Sequence, residues 1–131
     1  MEASPALTPE QARRTFNLAR PERGTLRLQV STARGTFPVA EAAITVTRSF
    51  GGVSQILYRG ITDRSGILDG LSLPALPSSY AQNAATADQS GTDYQVSIYH
   101  PDYVPVNDRP ITIFADIETV LPVMLTPLDR P

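Results

Sequence analysis

The stretch that most constrains the fold is Leu57–Pro74, LYRGITDRSGILDGLSLP. Ile56, Tyr58 and Ile61 supply apolar bulk, and Thr62-Asp63-Arg64-Ser65-Gly66 then stops the run. Asp63 can accept a hydrogen bond from an N–H two residues on, and Gly66 can take a positive φ without a steric penalty. Ile67, Leu68, Leu71 and Leu73 resume the apolar pattern, Asp69-Gly70 reads as a second turn, and Pro74 ends the segment. The reading is a strand, a tight turn and a second short strand, a corner around which further strands pack.

The flanking chain supports this. From Gly24 the apolar period is two: Leu26, Leu28 and Val30 alternate with Arg27, Gln29 and Ser31, as in a half-buried strand. Ala33-Arg34-Gly35-Thr36 is a turn, and Phe37-Pro38-Val39 leads back. Ile44 and Val46 alternate with Thr45 and Thr47, Gly51-Gly52 supplies a hairpin loop, and Ser54–Ile61 returns. Tyr94, Val96 and Ile98 mark another strand, Ile111–Phe114 a short one, and Glu118–Leu125 the last. Pro122 cannot donate to a ladder, which places it at an edge or a bulge. Seven or so short strands with frequent turn signals indicate an all-β, antiparallel β-sandwich. Between Leu73 and Asp93 the sequence is rich in Pro, Ser and Ala without a period, so residues 74–93 read as a long loop.

Residues 1–23 read differently. Thr8 is placed as an N-cap, Pro9 at the first helical position and Gln11 for a capping box. A helix from Pro9 to Ala19 sets Ala12, Phe16 and Ala19 on one face, and Pro21 ends it. That stripe is too thin for a core of its own. It makes residues 1–23 an arm for docking on the parent domain or on a neighbouring subunit, beside a sandwich over 24–128 and a tail at 129–131.

Composition removes several chemistries. The chain has no Cys, which excludes disulfides, thiolate nucleophiles and Cys-ligated metals. All 11 basic residues are Arg, and the missing Lys excludes Schiff bases, Walker-type phosphate loops and Lys–Asn isopeptide crosslinks. The net charge of −2 favours neither nucleic acid nor anionic membrane. No apolar run approaches the ~20 residues of a membrane span, and residues 1–14 lack a basic n-region followed by an apolar h-region, so no secretory signal is visible there. The chain is therefore expected to be made in the cytoplasm, with export by another route, or release by lysis, left open.

Gly24-x-Leu26-x-Leu28-x-Val30 followed by Pro38-Val39-x-x-Ala42-x-Ile44-x-Val46 resembles the start of a carboxypeptidase regulatory-like domain. Thr62-Asp63-x-Ser65-Gly66, Leu73-Pro74 and Tyr94-x-Val96-x-Ile98 are similar to its middle. Tyr103-x-Pro105, Ile113-Phe114 and Val123-Met124-Leu125-x-Pro127-Leu128 are similar to transthyretin-like segments of Clostridia-type bacteria, found in pro-regions of spore-cortex-lytic enzymes. The resemblance implies a prealbumin-like sandwich and a non-catalytic accessory module. The purine-pathway hydrolases of that fold end in Tyr-Arg-Gly-Ser and need several His. Here Tyr58-Arg59-Gly60 lies mid-chain without the Ser, and there is one His.

No catalytic residue, metal ligand or cofactor site is assigned. His100 lacks a nucleophile elbow and precedes a Pro, so it reads as a loop anchor. Asp63, Ser65 and Asp69 are spaced like part of an oxygen-ligand loop, but Ile67 and Leu68 stand where ligands are wanted. Phe16, Tyr80, Tyr99 and Tyr103 are the candidate interaction residues, because aromatic rings give large contact area at low entropic cost. The expected function is a structural or interaction module with protein partners in a homo- or hetero-oligomeric assembly on a spore, virion or cell surface. The alternative is an accessory domain that binds cell-wall glycan or peptide, peptidoglycan included, through the 74–93 loop and exposed tyrosines.

Overall fold

A computed structural model describes residues 7–33, 36–82 and 90–128. The described elements are α1 (Pro9–Ala19), β1 (Glu22–Thr32), β2 (Phe37–Pro38), β3 (Ala43–Phe50), β4 (Val53–Ile61), β5 (Ile67–Ala75), α2 (Ser79–Gln82), β6 (Thr92–Tyr99), β7 (Val106–Ile113) and β8 (Glu118–Met124). Two sheets face one another. In the first, β1 is central and antiparallel to β5 and β2, while β8 joins its other edge in parallel. The second runs β4-β3-β6-β7, antiparallel throughout.

Alternation dictates the core. Leu26, Leu28 and Val30 of β1 and Val123 of β8 face Ile44 and Val46 of β3 and Tyr94, Val96 and Ile98 of β6, all buried. Thr25, Arg27 and Gln29 point outward from the same strand. The all-β sandwich with a short N-terminal helix expected from the sequence is the fold observed.

The organising corner is built as its residues require. Asp63 Oδ1 accepts from the N–H groups of Ser65 at 2.8 Å and Ile67 at 3.0 Å. Gly66 has φ +74°, and a Cβ there would lie 2.2 Å from the Val30 carbonyl oxygen. The turn is thus pressed against β1, and Val30 N–H donates to Gly66 O at 2.7 Å. Gly51 and Gly52 take φ +56° and +80°, the positive angles that a two-residue hairpin turn demands.

Some expectations are corrected. Asp69-Gly70 is not a second turn: β5 continues through it, and the ladder to β1 shifts register between Leu26 and Leu28. The pair forms a bulge, with Gly70 at φ +72° and the Asp69 carboxylate on Arg27 at 3.0 Å. Ile56 and Ile61 are exposed rather than core, because β4 is an edge strand and its outward face has no second layer. β7 begins at Val106, earlier than Ile111, since Pro110 is accommodated on a strand paired only with β6. Pro122 likewise sits on an edge strand, paired only with β1. The 74–93 loop loses its start to β5 and holds α2; its residues 83–89 lie outside the described residues.

Candidate interaction surfaces

Helix α1 starts as its sequence specifies. Thr8 Oγ1 accepts from Gln11 N–H at 3.1 Å, and Gln11 Oε1 accepts from Thr8 N–H at 3.1 Å, a complete capping box. The helix covers an end of the sandwich by inserting Phe16, which is 6% exposed. Its ring meets Phe50 edge-on at 5.2 Å and Tyr94 edge-on at 6.1 Å. The Arg20 and Arg48 guanidiniums lie 4.2 and 4.6 Å from its centroid. Arg20 Nε also donates to Thr92 Oγ1 at 3.1 Å, and Arg13 Nη1 to Gln55 Oε1 at 2.8 Å. Burial, and then the like charge of Arg48, pulls Arg20 below the ordinary guanidinium pKa.

Phe16 is therefore seated inside this docking site rather than on a surface. Ala12 packs beside it, whereas Ala19 is exposed and takes no part. The stripe chosen by helical spacing is shorter than the sequence implied, because the helix ends where Pro21 redirects the chain into β1.

The three tyrosines are not equivalent. Tyr99 is 58% exposed at the end of β6. Tyr103 is half-buried, its ring edge-on to His100 at 5.1 Å. Tyr80, on the short α2, is 37% exposed and engaged with other groups. His100 behaves as a turn anchor, since its Nδ1 accepts from the Asp102 N–H at 3.1 Å.

The surface sequence reasoning missed is the outer face of the second sheet. Ala43 pairs with Ile61 on one side and Tyr99 on the other, so the three side chains form one row across β4, β3 and β6. All three are exposed, Ile61 at 63%. The next row is Arg59, Thr45 and Ser97, and the one beyond it Ile56, Thr47 and Gln95. An apolar row is thus bordered by Arg59, Thr45 and Ser97, and the β3–β4 ladder shifts register just beyond them, between Val46 and Thr47. The alternation carried the signal, but which flank would lack a covering layer was not written in it.

No protein-family model and no curated protein sequence matches the chain. Solved structures do. A streptococcal ancillary pilin aligns with a TM-score of 0.60 and 15% identity over 83% of this chain and 30% of that one. The Bacillus anthracis TIE protein aligns at 0.55 and 16% identity over 82% of this chain and 17% of that one. A 3-chlorocatechol 1,2-dioxygenase from Rhodococcus opacus 1CP aligns at 0.55 and 14% identity, over 82% and 60%. The likeness is one of fold. The chain spans less than two thirds of each of these proteins, and they include a pilin and an enzyme, so the sandwich alone does not select an activity. Among the described residues, no helix is long and apolar enough to cross a membrane.

Proposed function

We propose that this chain is a non-enzymatic structural module that works through protein–protein contact as a subunit or decoration of a larger extracytoplasmic assembly. Residues 24–128 act as the sandwich unit and residues 1–23 as its arm. The observation that carries the reading is the Ile61–Ala43–Tyr99 row. A contiguous exposed apolar strip across three strands is a feature that association buries. The fold shared with a streptococcal ancillary pilin supports the same class of role, with a spore, a virion or a cell-surface structure as candidate settings.

Native mass spectrometry of the full chain, of Ile61→Arg and of a chain starting at Gly24 tests this. The reading expects oligomers or captured partner for the full chain and their loss in Ile61→Arg. A strict monomer that recruits nothing, in all three, overturns it. A second reading, an accessory domain for wall glycan or peptide, draws on the exposed Tyr80 and Tyr99. Retention on purified peptidoglycan, lost in Tyr80→Ala with Tyr99→Ala, would favour it over assembly.

A further inference from the structure

A groove of about 910 Å³ opens on the outer face of the first sheet, opposite the apolar row. Pro38, Ile67, Pro122 and Met124 form its apolar floor, with Met124 61% exposed. Arg64 and Arg109 border it, and no acidic or aromatic residue lines it. Among the described residues Arg64, Arg109 and Arg59 make no ion pair or side-chain hydrogen bond, whereas Arg14, Arg27, Arg20, Arg23, Arg13 and Arg48 are engaged; of the three, Arg64 and Arg109 border this groove. In a chain of net charge −2, two free guanidiniums meet at one groove.

Arg109 is brought there by an irregularity. The β6–β7 ladder shifts between Val96 and Ile98, leaving Asn107 and Asp108 opposite Ser97. Asp108 takes φ +54°, and its N–H donates to Ser97 Oγ at 3.1 Å. Beyond this bulge Arg109 pairs with Val96, whose side chain points inward. Arg109 therefore leaves the second sheet on its inner side, at the edge, and reaches the groove beside Pro122 and Met124 of β8. An inward charge also discourages edge pairing. Arg64 has no such edge to guard, standing on the Asp63–Gly66 turn.

We infer that this groove binds an extended acidic peptide segment of a partner protein, its carboxylates on Arg64 and Arg109 and its apolar side chains on the Pro38, Ile67, Pro122 and Met124 floor. Guanidinium forks match carboxylates bidentately, and Pro and Met surfaces accept aliphatic side chains. The lack of an aromatic stacking platform disfavours a sugar, and the apolar floor disfavours a bare polyanion. The inference rests on the reading of the chain as a protein-binding module, but not on its self-association.

The test is fluorescence anisotropy of full-length protein with a labelled peptide of alternating Glu and Val. The same peptide with Lys for Glu, and polyphosphate, serve as comparison probes. Saturable binding to the acidic peptide is expected, weakened at least about tenfold in Arg64→Gln with Arg109→Gln, unchanged in Ile61→Arg, and falling with added salt. Circular dichroism checks that the exposed substitutions keep the fold. Absence of saturable binding up to roughly 1 mM peptide, equal binding by the double variant, or equal affinity for polyphosphate overturns the inference. A chain that stays monomeric yet binds the acidic peptide through both Arg refutes self-assembly and leaves the groove standing.

Discussion

Replacing Thr62 by Val probes the joint between the organising corner and the rest of the sandwich. Thr62 is 3% exposed. Its Oγ–H donates to Val39 O at 2.8 Å, and its Oγ accepts from Ala42 N–H at 2.9 Å, both buried. Its own backbone closes the same loop, with N–H to Ala42 O at 3.0 Å and C=O to Glu41 N–H at 3.0 Å. Valine has nearly the same shape but no hydroxyl, so packing survives while one buried carbonyl and one buried N–H lose their partner. Each orphaned group costs about 1–3 kcal/mol, and the new methyl returns about 0.8 kcal/mol at most. The net loss works out at about 1–5 kcal/mol. Thr62→Ser keeps both hydrogen bonds and gives up one methyl, about 1 kcal/mol. Urea unfolding should show the midpoint falling further for Val than for Ser at unchanged slope. If Thr62→Val stays within about 0.5 kcal/mol of the parent while Ser is the worse of the two, the hydroxyl is not the anchor and the argument fails.

Other positions give independent checks. Gly66→Ala should cost more than about 3 kcal/mol in the same unfolding assay, since both the positive φ and the 2.2 Å approach to Val30 O oppose it. Gly52→Ala, at φ +80° but facing open space, should cost only about 1 kcal/mol. Phe16→Ala should release α1, read as lost hydrogen-exchange protection over Pro9–Ala19, with a cost of about 3–5 kcal/mol if the helix and sandwich unfold together. Burial pushes the Tyr94 phenol up to about 12 from its ordinary value of 10.0. Its folded pKa lies above the unfolded one, so its contribution is complete below pH 10 and is lost as pH rises through about 12. Alkaline unfolding curves should therefore flatten over that window in Tyr94→Phe.

Local structure was readable wherever one residue's chemistry decides it. Thr8 and Gln11 specify a helix start, Asp63 and Gly66 a turn, Gly51-Gly52 a hairpin, and the period of two along Leu26–Val30 a half-buried strand. Tyr99 was legible as an aromatic ring on the outward phase of its strand. The candidate surfaces as wholes were not. Nothing near Ile61 in the sequence says that Ala43 and Tyr99 will stand beside it, because cross-strand register is set by long-range pairing. Arg64 and Arg109 are far apart in the chain and meet only after a bulge at Asp108 turns one strand toward the other sheet.

The sequence by itself determined helix α1, the alternating faces of β1, β3 and β6, and the turns at Asp63–Gly66 and Gly51-Gly52, since these follow from side-chain period, capping and the φ values a residue tolerates. Tertiary structure decided which strands became edges, that β8 lies parallel to β1, that Asp69-Gly70 is a bulge within a strand, and that Phe16 is buried while Ile61 is not. Those outcomes depend on which apolar faces find a partner, a balance struck over the whole sandwich and not within any one segment.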